Sequence, residues 1–424
     1  MARRRGSAVS QRSRAVVARE LGLPVSVEQI EVQSPRHGEV MIRLAACGVC
    51  HSDLSATNGT IAYPLPLVLG HEGAGIVAAV GDGVSRYAIG DHVVSSFVSI
   101  CGRCHYCQTG RPHLCVQSLQ ALYTLPDGSV RTFDAAGSPL NVFCGCGVMA
   151  EYATLHADNL VKIDRQMPLD RAALIACGVM TGFGAAVNTA RVEAGSVAVV
   201  FGCGGVGLNA IQGCAIAGAA MIVAVDTSAP KLELAERFGA THTFNVTGQD
   251  QVGKALYKLT GGGADYAFDC VGLGRISEQA FGVLRRGGTA VTVGIAAPAD
   301  KIVLNAQHVA ITEKTLTGSY YGSARPELDF PRLISLYRSG RLKLDELITR
   351  TYPIDEAPQA FADLQEGRPG RGVIVFGDMT EIFPRRLRTN RVGRPIRVTA
   401  GATHAGYASR CPRAIRTAIN RSSA

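Results

Sequence analysis

Residues 196–226 constrain the fold more tightly than any other stretch of this 424-residue chain. SVAVVFG, at 196–202, is an unbroken apolar run of strand length, and the helical pattern GVGLNAIQGCAIAGA follows at once. At their junction Gly202-Cys203-Gly204-Gly205-Val206-Gly207 satisfies G-x-G-x-x-G. Alone that string is a weak signal. After a strand and at the opening of a helix it has the context that a dinucleotide site requires. Glycines there permit a tight turn and let the backbone approach a pyrophosphate, whose charge suits a helix N-terminus. MIVAVD, at 221–226, is a second strand, ending on Asp226. A carboxylate at that point accepts hydrogen bonds from ribose hydroxyls and repels an extra phosphate, which favours NAD over NADP. Lys231, one turn into the next helical run, could reach the same ribose. Further strand runs, DYAFDCVG and GGTAVTVG, carry Val271 and Val293 at their ends, both assigned to the cofactor site. Strand and helix thus alternate at βαβ spacing, which predicts a doubly wound parallel sheet.

The N-terminal part reads differently. Residues 15–178 are rich in Val and Gly and break into short strands such as GEVMIRLAACGV and GAGIVAAVGDGV. At this length two domains are expected. Hydrophobic residues make up 47% and charged residues 18%, which fits a folded globular chain. No apolar run in the sequence reaches the roughly 18 residues of a membrane span, and no apolar segment follows the basic start as in a secretory signal. Cytoplasm is the expected compartment.

The net charge is +9, but its placement excludes a nucleic-acid-binding body. Residues 1–14 hold five arginines and no acid, and residues 377–424 hold ten arginines against Asp378 and Glu381. That leaves −4 for residues 15–376. A basic N-terminal extension at 1–14 and a basic, disordered tail at 377–424 are therefore expected.

Thirteen cysteines in such a chain point to metal or catalytic thiolates rather than disulfides. Cys47-Gly48-Val49-Cys50-His51 and Cys101-Gly102-Arg103-Cys104-His105 both match the C-x-x-C-H pattern of haem attachment, and a dithiol redox role is also open for them. The second string belongs to CGRCHYCQTGRPHLC, where Cys101, Cys104, Cys107 and Cys115 can close a tetrahedral four-thiolate zinc shell. A haem would use two of these thiols and leave two unexplained. The first string has distant complements. His71-Glu72 lies in LGHEGAG and Cys177 in ACGVMTGFG, and two thiolates with one imidazole leave a fourth position open, as in catalytic zinc sites.

Taken together, CHSD, GHE, CGRCHYC with its fourth cysteine, CGVMTG and GCGGVG resemble the zinc-dependent medium-chain alcohol dehydrogenases over roughly residues 15–376. The extended loop between the cysteine clusters and Cys177 is similar to that of the long, class I and class III members. The resemblance implies a GroES-like β-rich catalytic domain from 15–178 and 322–376 and a Rossmann-type NAD-binding domain at 179–321. It makes Cys50, His71 and Cys177 the ligands of a catalytic zinc, with Cys47 a buried strand residue, and so two zinc ions per chain. It implies that Ser52 starts a proton relay through the cofactor ribose, that Asp53 and Glu72 orient the zinc ligands, and that His51 and Arg371 contact the pyrophosphate. Where full-relay members carry a histidine, this chain has Ser55.

The implied reaction is reversible hydride transfer between a primary or aromatic alcohol and NAD, giving the aldehyde. The alternative is oxidation of the hydroxymethyl-thiol adduct of formaldehyde, with Arg111 or Arg131 as anchor for the thiol carrier. The implied partners are a small alcohol or aldehyde and a second copy in a homodimer, with no specific nucleic acid and no membrane.

Overall fold

The computed structural model describes residues 10–377. The ends 1–9 and 378–424, and with them the arginine-rich tail, lie outside the described residues. The basic extension expected at 1–14 ends earlier than its charge pattern implied. The strand Ser10–Ala18 already includes Arg12 and Arg14 and pairs antiparallel with Ser26–Gln33. Arg14 is held there by Glu151 at 2.8 Å and Asp355 at 2.9 Å, so local charge marks a paired strand and not a loose arm.

Among the described residues three sheets form two lobes. Five short strands, in the order Thr132–Asp134, Ser26–Gln33, Ser10–Ala18, Leu67–Val68, Asn141–Val142, form one sheet. Seven form the second, centred on Glu39–Gly48, which pairs with Gly73–Val80, Tyr152–His156 and, across more than 300 residues, Arg371–Val375. The alternation in VMIRLAACG puts side chains on two packed faces, and all but Arg43 of Glu39–Gly48 are buried. The C-terminal segment thus returns to complete the β-rich lobe.

The third sheet is parallel throughout, in the order His242–Asn245, Met221–Asp226, Val197–Phe201, Ala264–Asp269, Leu284–Thr292, Thr315–Gly318. Numbered along the chain this is 3-2-1-4-5-6, so the direction of winding reverses between Val197–Phe201 and Ala264–Asp269. Ligands of such sheets bind at that switch point, beyond the strands' C-terminal ends. Four residues of Val197–Phe201 are buried, as expected of a strand covered on both faces.

A continuous helix from Leu169 to Ala190 joins the lobes, with π-helical turns at Ile175–Val179 and Ala185–Ala190. It is long and apolar enough to cross a bilayer by length and composition, although no unbroken apolar run of that length marks it in the sequence. Its apolar face is spent elsewhere: Leu174, Val179, Met180 and Phe183 sit in the largest core cluster with Val200, Leu208 and Ile211 of the nucleotide lobe. Cys177 rides on this helix.

Candidate active site

The glycine-rich turn owes its shape to close contacts. Gly202 has φ +87°, and a Cβ on Gly207 would lie 1.7 Å from the Gly202 carbonyl oxygen. No side chain fits there. The helix Gly205–Ala217 starts directly behind the turn, with Gly204 as N-cap, so its free N–H groups face the cleft. Around Gly204 the space within 4 Å is open, which leaves room for a phosphate. Asp226 stands at the end of its strand, accepting N–H groups from Cys203 at 2.7 Å and Ser228 at 3.0 Å.

These facts separate two substitutions. Gly207→Ala is expected to break the turn, lowering thermal stability and weakening dinucleotide binding by about 100-fold. Gly204→Ala should leave the melting temperature unchanged and weaken binding alone. Thermal melts and fluorescence titration of both variants read the difference.

One cleft, with a cavity volume of about 1250 Å³, runs from this turn to the β-rich lobe. That exceeds a typical single-ligand pocket and accommodates a dinucleotide with a small second molecule. His51, Ser52, Gly202, Gly204, Gly205, Val206, Asp226, Lys231, Val271, Val293 and Arg371 all line it, and so do Cys50, His71 and Cys177. Asp53 and Glu72 are buried behind the lining.

Cys50, His71, Glu72 and Cys177 place one ligand-type atom each within 4.8 Å of one another. Cys50 caps the short helix His51–Thr57, His71 leaves a loop beside Gly73–Val80, and Cys177 comes from the π-helical turn. The thiols interact directly. Hydrogen bonding from Cys177 pushes the Cys50 thiol well down, and the same contact, with burial, pushes Cys177 well up. A pair that resists losing its second proton when empty is suited to a cation that would take both as thiolates. Asp53 is wholly buried, accepts the Gly70 N–H at 2.9 Å and faces His71 Nδ1 at 3.4 Å, leaving Nε2 for a metal. Glu72 Oε1 is buried with no hydrogen-bond partner among the described residues, so this carboxylate could itself serve as a donor. Its other oxygen meets Arg371 at 2.6 Å, and Arg371 also donates to the Val49 carbonyl at 3.0 Å. Burial works against the Arg371 charge and pushes the Glu72 carboxyl up; at Arg371, Glu72, Cys50 and Cys177 together outweigh burial, and its pKa is raised. Arg371 also stands against Gly205, between the carboxylate and the nucleotide turn.

The second cluster is separate. Cys101, Cys104, Cys107 and Cys115 also place their sulfurs within 4.8 Å of one another, and all are free thiols. The Cys104 sulfur is 3.6 Å from Cys107 and 3.8 Å from Cys115. A tetrahedron with zinc–sulfur bonds of about 2.3 Å has edges of about 3.8 Å, so the cluster is already of zinc size. Backbone N–H groups near Cys107 and Val116 push the Cys104 thiol down to about 6, favouring the thiolate.

Several cleft residues carried no signal in the sequence. Phe143 and Phe97 set their rings edge-on to His71, at 5.2 and 5.6 Å. Tyr63 packs on Phe143 at 4.7 Å, and Tyr320 on Phe97 at 6.0 Å. Ile61, Leu114 and Cys144 complete this apolar end. Cys144 has φ +54°, and its sulfur is 3.4 Å from the Tyr63 hydroxyl. Neither proposed anchor for a thiol carrier reaches the cleft. Arg131 is buried and bound through two nitrogens to Glu39, at 2.5 and 2.8 Å, while Arg111 lies over the Tyr106 ring. A partner 92 positions away, invisible to local spacing, had already claimed the Arg131 charge.

A two-lobed oxidoreductase with a dinucleotide turn facing a thiolate–imidazole metal cluster is the class of protein that this arrangement defines. Residues 36–165 match the alcohol dehydrogenase GroES-like domain and residues 205–339 the zinc-binding dehydrogenase domain. The chain is 42% identical over 369 residues to the NDMA-dependent alcohol dehydrogenase of Amycolatopsis methanolica, covering 86% of this chain and 99% of that one. It is 36% identical to the S-(hydroxymethyl)glutathione dehydrogenase of Paracoccus denitrificans, covering 86% and 100%. The solved benzyl alcohol dehydrogenase of Acinetobacter calcoaceticus superposes with a TM-score of 0.81 at 31% identity, covering 87% of this chain and all of that one. The chain belongs to the zinc-dependent medium-chain alcohol dehydrogenase family.

Proposed function

We propose that this protein is an NAD-dependent alcohol dehydrogenase that converts primary alcohols, aromatic ones foremost, reversibly to aldehydes. The observation that carries this reading is the convergence in one cleft of the dinucleotide turn, the Cys50–His71–Cys177 cluster and the aromatic wall around His71. When bound, zinc supplies Lewis-acid polarisation of the alcohol hydroxyl and NAD accepts the hydride.

The residues divide the remaining work. Cys50, His71 and Cys177 hold the catalytic ion, and the buried Asp53 carboxylate, 3.4 Å from His71 Nδ1, orients the imidazole. Cys101, Cys104, Cys107 and Cys115 hold a structural ion. Gly202, Gly204, Gly205 and Val206 receive the pyrophosphate with His51 and Arg371, while Asp226 and Lys231 take the ribose; Gly207, expected among them, lies behind the cleft and lets the helix pack on the Gly202 carbonyl. Val271 and Val293 flank the cofactor. Ser52, 3.8 Å from the Cys50 sulfur, relays the substrate proton, taking it up as it passes its own hydroxyl proton toward the cofactor ribose. Ser55 also lines the cleft, but a hydroxyl near neutral pH does not hold a proton as imidazole does, so the last transfer goes to water. Tyr63, Phe97, Phe143 and Tyr320 take a flat apolar substituent by ring contact.

The assay is NADH formation with aliphatic and aromatic primary alcohols, repeated with NDMA, on which the Amycolatopsis relative depends by name, and with formaldehyde plus a small thiol. Turnover of benzyl alcohol without thiol is expected. Turnover only with formaldehyde and thiol together would move the chain to the chemistry named for the Paracoccus relative. The apolar lining and the positions of Arg111 and Arg131 favour the free alcohol.

We also place the protein in the cytoplasm as a homodimer. The helix Ala306–Thr312 has no buried residue, Val303 before it and Ile311 within it are exposed, and the edge strand Thr315–Gly318 is open to pairing. Sedimentation at micromolar concentration should report twice the chain mass.

A further inference from the structure

One buried side chain contacts the immediate neighbours of two metal-cluster residues, Cys177 and His71, without belonging to the cluster. Tyr321 is 2% exposed and follows the last strand of the parallel sheet. Its hydroxyl donates to the carbonyl of Ala176 at 2.5 Å, the residue directly before Cys177. Its ring packs on Phe97 with centroids 4.0 Å apart, and Phe97 is edge-on to His71. Ala176 and Cys177 lie in a π-helical turn, a local widening that recurs at functional sites.

The backbone that presents Tyr321 is unusual. Tyr321, Gly322 and Ser323 have φ of +56°, +64° and +51°, left-handed values that non-glycine residues adopt rarely and at a cost. Surrounding contacts hold them there. Thr189 shares its hydroxyl with Ser319 and Ser323 at 2.9 and 2.8 Å, and Asn188 donates to the Gly322 carbonyl at 3.2 Å. A Cβ on Gly322 would meet the Met180 carbonyl oxygen at 2.4 Å, so the turn is seated against the helix that carries Cys177. Strain maintained by so many contacts places the phenol in one position.

We infer that Tyr321 is a positioning residue of the metal site, holding Cys177 through the Ala176 carbonyl and His71 through the Phe97 ring. This rests on the proposed reading of Cys50, His71 and Cys177 as metal ligands. It links the end of the nucleotide-binding sheet to the geometry of those ligands, so the metal cluster is tuned from the cofactor's side of the cleft.

The test is Tyr321→Phe, which keeps the ring and removes only the hydroxyl, beside Tyr321→Leu, which removes both contacts. Zinc release to a chromophoric chelator is followed in the two-zinc protein, with Cys101→Ser identifying the phase due to the four-thiol cluster. In Tyr321→Phe the other phase should accelerate roughly tenfold and kcat fall by a similar factor, with KM for the alcohol unchanged. Tyr321→Leu should accelerate it further. The four-thiol phase should not move. Release at the wild-type rate in Tyr321→Phe would overturn the inference, and so would equal acceleration of both phases, which marks general loosening. If the wild-type protein binds no ion at Cys50, His71 and Cys177, the functional reading fails and this inference fails with it.

Discussion

Cys177→Ser is expected to lower kcat/KM by at least about 10³-fold, a loss of about 4 kcal/mol in transition-state stabilisation. Serine has nearly the shape of cysteine, so the helix Leu169–Ala190 keeps its packing and the fold survives. What changes is the donor. A hydroxyl does not ionise as the thiol does, and the Cys50–Cys177 contact loses the second thiolate that a cation would take up. Zinc content should fall from two ions per chain to one, since the four-thiol cluster is elsewhere. Metal analysis and steady-state kinetics on the same preparation check both halves. A variant that kept both ions and activity within tenfold would remove Cys177 from the site.

Arg371→Met is expected to be the most destabilising single change at the cleft, costing about 3–5 kcal/mol. The reason is burial. Glu72 is completely buried and Arg371 is 6% exposed, and they meet at 2.6 Å. Methionine fills much of the volume but leaves Glu72 with an unpaired carboxylate beside two cysteines. Adding Glu72→Gln should recover a large part of the loss, because removing both charges of a buried pair costs far less than removing one. Chemical denaturation of the two single variants and the double variant closes the cycle. A loss under about 1 kcal/mol in Arg371→Met would mean that the pair behaves like a solvent-exposed one.

Much of the site was legible in the sequence because its chemistry tolerates few residue types. Gly207 has no alternative when a Cβ would strike the Gly202 carbonyl, and four cysteines within fifteen residues have few uses other than metal. Parallel strands were legible for a related reason, since SVAVVF and MIVAVD must be apolar on both faces. The short strands His242–Asn245 and Thr315–Gly318 carry no such run and were not identified. Phe97, Phe143 and Tyr63 are aromatic residues in loops, with no spacing to set them apart from core filling. Tyr321 acts through backbone contacts 145 positions away, and Glu72 joins the ligand atoms only in three dimensions. Arg131 shows the opposite failure: a loop arginine read as an anion anchor is a buried partner of Glu39.

Hydride is expected to move directly between an alcohol and a nicotinamide held in this cleft. The most direct test uses benzyl alcohol carrying deuterium at both hydrogens of the reacting carbon. After one turnover the protein is denatured and the cofactor's mass is measured, so the result does not depend on whether the cofactor leaves during catalysis. One deuterium is expected on the nicotinamide ring, with singly deuterated benzaldehyde in equal amount. Labelled aldehyde with no deuterium on the cofactor would contradict it.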